Sequence, residues 1–491
     1  MKWIYNREDY LLIIRELGVL LMLVSVVLLI PLFVGAIYGE SQTYIYFLKS
    51  ASVSAVLGII FRFFPAKTNL QRKHAIGIVV LAWPLVSIPS ALPFYFSGIA
   101  PTFLDAFFEA ISGWTTTGLT TIGANADVFY HSINFWRHLM QYLGGLGIIV
   151  MGIVVLAPLR DWEVTTELAV AAGKKYRIVP SLNNTIKIIV VMYSVLLLVA
   201  SVLFYSSGLN IFDSVCHAMA GLSTGGFSTR GASLGAYNSG AVTLVSIPIM
   251  IIGGTNFVLL YYLFSGDIKN YLSDIETKVF WYFWILFVSG LVIWFAFRHV
   301  GYSGLLDIIF MVTSALTTTG WSTIPSSAVF LQWAPLPLIA IIVSMLIGAN
   351  ASSTGGGIKA FRVGVMLKNI LWMTKDVVMP DSMKFNRTYK HIEKKSPDDE
   401  DLQHIMTFIL LYFLILFLSF VIFTAFDFPI ITSFYEVTSA IGTVGLSSGI
   451  TSTAIHPVLK IVLCVDMWLG RIEILPILYF IRYMYSNKKR F

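Results

Sequence analysis

The chain has 491 residues, 57% of them hydrophobic and only 12% charged, a balance far more apolar than that of a soluble domain. Its net charge of +7 would suggest nucleic acid for a soluble protein, but here the Lys and Arg fall between apolar runs, where they orient a membrane protein and imply no nucleic-acid partner. The two cysteines, Cys216 and Cys464, both lie in apolar segments, which excludes a disulfide framework.

Several apolar runs reach the roughly 20 residues that a bilayer-spanning helix needs. The chain therefore reads as an all-α polytopic membrane protein embedded in lipid. Its first run, Leu11 to Ile37, is too long for a signal segment and lacks a small-residue cleavage site. Ten transmembrane helices are expected, at about 11–37, 43–64, 75–97, 135–158, 185–206, 241–264, 279–299, 334–371, 404–426 and 456–484. The first two form an N-terminal pair, residues 1–70. The other eight make four helix–pore loop–helix repeats: 71–160, 161–267, 268–374 and 403–491, with a polar loop, 375–402, before the last. If the N-terminus is cytoplasmic, the inner segments 1–15, 62–74, 159–187, 265–278, 359–402 and 482–491 hold 27 of the 33 Lys and Arg. The positive-inside rule then puts both termini in the cytoplasm and the pore loops in the outer half of the membrane. The mixed-charge stretch Lys375 to Asp401 reads as a solvated loop.

A short hydroxyl-and-glycine motif occurs four times, once per repeat: Thr116-Thr117-Gly118, Ser223-Thr224-Gly225, Thr318-Thr319-Gly320 and Thr443-Val444-Gly445. Recurrence of this kind takes precedence over local readings. Twelve or thirteen positions before each glycine stands Asp105, Asp213, Asp307 or Thr432, a residue type suited to cap a helix. Ser433 and Glu436 have the spacing of a capping box. The ten or so residues that follow each cap rise about 15 Å, half a bilayer. Four re-entrant pore helices around one pore are expected, each ending in a loop at membrane depth. Such backbone is tolerated only where it is buried or lines a watery cavity. Inward carbonyls and hydroxyls can replace the water of a dehydrating cation, and glycine permits the backbone angles needed. No acidic residue occurs in the four triplets, which disfavours divalent cations and favours potassium as the transported ion.

The eighth span is too long for one helix, and Gly348-Ala349-Asn350-Ala351-Ser352-Ser353-Thr354-Gly355-Gly356-Gly357 interrupts it. A polar, glycine-rich break at that depth reads as an intramembrane gate. A plain turn at the inner surface is the simpler alternative. A phosphate loop is excluded, because Gly357-Ile358-Lys359 lacks the required order. Arg471 lies within the last span, in Gly470-Arg471-Ile472-Glu473. An arginine there is costly and is read by default as functional; it could repel cations or hold the gate loop through backbone carbonyls. Glu473, two residues on, is badly placed to pair with it within one helix. Gly144-Gly145-Leu146-Gly147 and Gly253-Gly254 read as small residues packing helices.

These motifs, together with Gln141-Tyr142-Leu143-Gly144-Gly145-Leu146-Gly147-Ile148, Ile252-Gly253-Gly254-Thr255-Asn256-Phe257 and Ser353-Thr354-Gly355-Gly356-Gly357-Ile358-Lys359, resemble the TrkH/KtrB/HKT superfamily of potassium transporters over nearly the whole chain and in the right order. The N-terminal pair is similar to the TrkH branch. The resemblance implies a homodimer with one pore per protomer, and a cytosolic nucleotide-binding ring of TrkA type, with RCK domains, that regulates the gate. It implies the four triplets as selectivity filter, 348–357 as gate loop and Arg471 as pore arginine. In plant relatives a serine at the first filter glycine goes with sodium permeation, and here that position is Gly118. The stretch Ala349-Asn350-Ala351-Ser352 departs from the family, whose loops are richer in glycine. The outer positions Leu119, Gly226, Trp321 and Leu446 differ from one another, so exact fourfold symmetry is not expected.

The function expected is potassium uptake across the cytoplasmic (inner) membrane by a channel-like subunit, with no organic cofactor in this chain. A symporter coupled to protons or sodium is the alternative; it needs a titratable group on the path, for which His217 is a candidate. An enzyme is not expected, since the eight histidines are scattered without ligand spacing.

Overall fold

In the computed structural model, residues 5–66, 68–151, 182–298, 304–324, 333, 335–378 and 386–485 are described. Among them, six helices are long and apolar enough to cross a membrane, or seven if one bent pair counts as a single span. Most of the basic stretch 159–187 and the end of 482–491 lie outside the described residues, as does the end of the expected span 135–158.

The chain opens with a helix, Arg7–Val27, extended by Ile30–Ile37 and returning as Ser41–Arg62. Asn6 and Asp9 cap its start reciprocally. Asp9 also accepts from Lys73 Nζ and His74 Nε2, both at 2.6 Å, which ties this pair to the next helix. The two helices cross at glycine. A Cβ on Gly18 would lie 2.7 Å from Gly58 O, and one on Gly58 would lie 2.8 Å from Gly18 O. Backbones approach this closely only over small residues.

Four units follow. Each has a first helix: Arg72–Phe96, Leu182–Ser206, Ile275–Arg298 and Asp399–Ala425. Each then has a 12-residue helix: Phe103–Trp114, Ile211–Leu222, Leu305–Leu316 and Ile430–Ile441. At about 1.5 Å per residue these short helices cover roughly 18 Å, well short of a bilayer. The return helices differ. The first is His131–Met151 as far as it is described; the second, Gly240–Gly254, bends by 117° into Phe257–Phe264. The third, Pro335–Ile347, opens into a loop before Ala360–Val378, and the fourth, Pro457–Arg471, stops and restarts as Leu475–Tyr485.

Several expectations are corrected here. Spans 241–264 and 456–484 are broken. Asn256 restarts the first by accepting from Val258 N at 2.9 Å. In the second, Glu473 and Ile474 take positive φ values of 62° and 52°, which a continuing helix does not allow. The short helices begin three residues earlier than expected, with Thr102, Asn210, Gly304 and Pro429 as N-caps. Asp105, Asp213, Asp307 and Thr432 instead stand third in their helices, and the first two donate their N–H to the cap side chain at 3.2 and 2.7 Å. A carboxylate in a first turn also meets the positive helix end. Ser433 and Glu436 form no capping box, because both lie inside their helix, fully buried. The polar loop is not simply solvated: Tyr389–His391 and Glu393–Lys395 pair as an antiparallel hairpin whose Tyr389, His391 and Ile392 are buried.

Candidate functional site

The four short helices end alike. Thr115, Ser223, Thr317 and Gly442 are C-caps in the right-handed region. The next residues, Thr116, Thr224, Thr318 and Thr443, are left-handed, with φ of 52°, 48°, 57° and 48°. Their N–H groups reach back to Gly113 O, Gly221 O, Ala315 O and Ala440 O at 3.0–3.2 Å. The following N–H groups, of Thr117, Gly225, Thr319 and Val444, reach five residues back at 2.7–2.9 Å. This is the Schellman pattern, in which glycine normally takes the left-handed position. Threonine there is strained by about 1–2 kcal/mol, and the same strain occurs four times in register. Two residues later Gly118, Gly226, Gly320 and Gly445 also have positive φ, 89°, 76°, 82° and 98°.

This geometry fixes the register. The second loop runs Thr224-Gly225-Gly226, one residue later than Ser223-Thr224-Gly225, and Ser223 occupies the position of Thr115. The residues after the glycines are then Leu119, Phe227, Trp321 and Leu446, all large, apolar and buried, so the outer positions are more alike than expected.

The loops close on one another. A Cβ at Gly118 would strike the carbonyl oxygen of Gly225, one at Gly226 that of Thr319, one at Gly320 that of Val444, and one at Gly445 that of Thr117. Each loop thus abuts the next and the fourth returns to the first. These four glycines line one cavity of about 360 Å³, together with Thr120, Arg137, Arg230 and Ser447. The hydroxyls of Thr116 and Thr443 are buried without a partner among the described residues.

The supports behind the ring are not fourfold. Ser112 and Ser439 accept from Gly118 N and Gly445 N, each at 3.0 Å. Ser314 donates to Trp321 O at 2.6 Å. The second helix has Ala220 at this position, and Gln141 from the first return helix substitutes, donating to Gly225 O and accepting from Phe227 N at 3.1 Å. The nearby carboxylates hold the outer loops. Glu109 accepts from Arg137 Nε at 2.6 Å and Thr120 at 2.7 Å, and Glu436 accepts from Ser447, Ser448 and Thr451. His217 is bonded on both nitrogens, to Asp213 O at 2.7 Å and Ser228 Oγ at 3.0 Å, as a packing histidine is.

The loop 348–359 packs against the helix-end side of this ring. Gly356 N donates to Thr318 Oγ1 at 2.9 Å. Thr354 Oγ1 lies 3.1 Å from Thr224 Oγ1, 2.8 Å from Gly253 O and 3.0 Å from Leu222 O. Close approach requires the glycines: a Cβ on Gly355 would lie 2.7 Å from Thr318 Oγ1, and one on Gly356 would lie 2.5 Å from Gly442 O. Asn350 N donates to Gly254 O at 3.0 Å, Ala351 N to Glu276 Oε1 at 2.7 Å. Arg471, 3% exposed, donates from Nη1 to Thr354 O at 2.5 Å and from Nη2 to Gly144 O at 3.0 Å. Glu473 does not pair with it but with Lys359, at 2.9 Å, and Arg362.

The structure therefore brings Gly348, Asn350, Ser352, Ser353, Thr354, Gly355, Gly356, Gly357 and Arg471 together beneath the four triplets. The return-helix glycines pack helices as expected, and they do so against the ends of the short helices that carry the triplets. A Cβ on Gly253 would lie 2.7 Å from Gly221 O, and one on Gly254 3.1 Å from the Thr317 side chain; Gly144 likewise abuts Trp114 O. Sequence reasoning did not single out Gln141, Asn256 or Glu276 as site residues. The first two stand inside motifs already noticed, whereas nothing local distinguishes Glu276.

A family model described as TrkH, cation transport protein, matches residues 45–490. An uncharacterized cation transporter of Methanocaldococcus jannaschii is 32% identical over 491 residues, 99% of this chain and 98% of that one. The Trk system potassium uptake protein TrkH of Escherichia coli K12 is 30% identical over 95% of this chain and 97% of its own length. The crystal structure of the potassium transporter TrkH from Vibrio parahaemolyticus superposes with a TM-score of 0.84 at 27% identity, over 96% of this chain and 98% of that one.

Proposed function

Because this chain belongs to the TrkH family of cation transport proteins, we propose that it is the potassium-conducting, pore-forming subunit of a Trk-type uptake system, with potassium as cargo and no organic cofactor. The observation that carries this reading is the closed ring of four glycine-bearing loops, each entered through a strained left-handed threonine. Strain repeated at equivalent positions marks a functional constraint. Backbone carbonyls and threonine hydroxyls there replace the hydration shell of a monovalent ion. The filter is 116–118, 224–226, 318–320 and 443–445. The loop 348–357 is the gate, lying across the path, and Arg471 clamps it closed while its charge opposes a resident cation.

The wider reading has ten spans and four re-entrant helices in the cytoplasmic membrane, with both termini cytoplasmic. Two chains pair, each with its own pore, and a cytosolic nucleotide-binding ring of TrkA type acts on the gate. Relatives named as Trk system potassium uptake proteins support the presence of a partner subunit. A proton-coupled mechanism has one observation in its favour. Asp466, buried inside a return helix, accepts from Ser419 Oγ at 2.8 Å through Oδ1, while its Oδ2 has no partner among the described residues.

The test is rubidium and sodium flux into liposomes carrying the purified chain at symmetric pH, with Gly118→Ser and Asp466→Asn in parallel. Uptake down a rubidium gradient, indifferent to a proton gradient, with sodium entry rising in Gly118→Ser, is expected. Uptake that requires a proton gradient and loses that requirement in Asp466→Asn would replace the channel with a symporter.

A further inference from the structure

We infer that Glu276 is a positioning residue for the gate loop and that the hairpin Tyr389–Lys395 acts on that loop through it. The inference rests on the gate reading above. Besides the ring threonines Thr224 and Thr318, the loop is held by Arg471 at Thr354 O and by Glu276 at Ala351 N. Arg471 belongs to the fourth unit and contacts the first, at Gly144 O. Glu276 belongs to the first turn of the third unit, and its other oxygen accepts from Asn256 Nδ2, at the bend of the second, at 3.1 Å.

The Glu276 anchor continues to the hairpin. Glu276 N donates to Asp274 Oδ1 at 2.8 Å, and Asp274 Oδ2 accepts from Ile392 N at 2.7 Å, with His391 Nδ1 3.4 Å away. Asp274, Glu276 and His391 are all buried, and one ligand-type atom from each lies within 4.8 Å of the others. Four contacts therefore run from the hairpin tip to the gate loop: Ile392 and His391 to Asp274, Asp274 to Glu276, Glu276 to Ala351.

The hairpin is built to reach inward. Ile392, its single turn residue, has a φ of 58°, a conformation that β-branched residues avoid. That strain is retained where the N–H meets Asp274. The His391 ring packs 4.7 Å from that of Phe361, just after the gate loop. On its outer side Lys390 Nζ bonds Asn270 Oδ1 at 2.7 Å and Ser273 Oγ at 2.6 Å. Withdrawal of the hairpin removes the Ile392 and His391 contacts to Asp274 and so loosens the helix start that positions Glu276. The loop then keeps Arg471 and its contacts to the ring threonines but loses the Glu276 anchor.

The experiment measures rubidium flux through the full chain in liposomes for Glu276→Ala, Lys390→Ala, and a hairpin variant with residues 389–395 replaced by glycine and serine. Arg471→Ala is the control for the gate itself. Flux should rise several-fold in Glu276→Ala and in the hairpin variant, with rubidium-over-sodium selectivity unchanged. The two combined should exceed neither alone, whereas Arg471→Ala should add to either. Lys390→Ala, which touches only the outer contacts, should give a smaller rise and covers the case in which the hairpin variant does not fold. Increased flux in Arg471→Ala but in none of the other three would overturn the relay and leave the gate standing. Additive effects of Glu276→Ala and the hairpin variant would also overturn it. No change in any variant, Arg471→Ala included, would remove the gate reading and the relay together.

Discussion

The ends of the four 12-residue helices and the return helices are built on opposite plans. At the ends of the 12-residue helices one backbone motif is repeated four times, with the threonines within 9° of one another in φ, at 48–57°. The return helices repeat nothing: one has no break as far as it is described, one bends by 117°, one opens into a loop and one stops at Arg471. An ion on the axis needs equal oxygens on all sides. Access to it needs an asymmetric body that can move without disturbing the ring. Under the proposed function the regular part serves selectivity and the irregular part gating.

Mutations that add a Cβ to the ring break this comparison hardest. Gly320→Ala combines a left-handed φ with a collision at Val444 O. Rubidium uptake should fall by roughly 100-fold or more, the rate equivalent of about 2.7 kcal/mol. Gly449→Ala is the control, since Gly449 has a φ of 90° but nothing within 4 Å of the added atom. It should cost about 1–2 kcal/mol in backbone strain and leave selectivity intact; equal losses at both sites would mean that strain, not the ring, matters. Arg471→Ala comes next. It removes the donors to Thr354 O and Gly144 O; Gly144 O keeps its place in the helix, while Thr354 O loses its partner at a cost of about 1–3 kcal/mol if no water replaces the guanidinium. Leak should rise as melting temperature falls. Arg471→Lys should not rescue it, because one ammonium on a flexible stem does not reproduce a planar fork reaching two carbonyls; full rescue would reduce Arg471 to a charge.

A smaller and sharper test sets two ring threonines against each other. Thr116→Gly relieves about 1–2 kcal/mol of strain against about 0.5–1 kcal/mol of added freedom in the unfolded chain, and its hydroxyl has no partner to lose among the described residues. Thr318→Gly gains the same relief but loses the bond from Gly356 N, worth about 1 kcal/mol. Thermal melts should therefore show Thr116→Gly the more stable by about 1 kcal/mol, and only Thr318→Gly should leak. Identical behaviour would mean that the loop does not engage the ring as the distances indicate.

The regular part was largely legible in the sequence, because a threonine–glycine motif that returns four times at one distance from a helix start marks four equivalent loops. Its one misreading came from the Gly225-Gly226 doublet, which permits two alignments. Counted from Gly226, the spacing to Asp213 becomes thirteen, as it is for the other three units, so the signal was present. The long polar break at 348–357 and the arginine inside a span were equally visible. The breaks at Thr255 and Ile472 were not, because flanking apolar residues keep the hydropathy continuous across so short an interruption. The hairpin was missed for a different reason. Its sequence, Tyr389-Lys390-His391-Ile392-Glu393-Lys394-Lys395, is as polar as a solvated loop, and what buries its tip is Asp274, 118 residues from Ile392. No local pattern records a partner that distant.

The smallest effect on transport is expected where the molecule belongs to neither plan. The N-terminal helices cross at Gly18 and Gly58, with an added Cβ on Gly18 within 2.7–2.9 Å of Gly58 O, Phe61 Cβ and Arg62 N. Two of these are backbone atoms and the third is the stiff root of a side chain, so Gly18→Ala must push the helices apart. Overpacking of this kind costs about 1–3 kcal/mol, and the melting temperature should drop accordingly. The pair meets the rest of the chain through Asp9 to Lys73 and His74 and Ile13 against Gly77, and at its other end through Glu40, which accepts from His131 N and Ser132 N, and Phe47 against Trp136; none of these partners belongs to the four triplets. Rubidium flux per folded molecule and its ratio to sodium should therefore equal those of the unmodified chain. A changed ratio would show that the first unit passes strain from the pair to Gly118, and the division between a selecting ring and its surroundings would have to be redrawn to include the N-terminal helices.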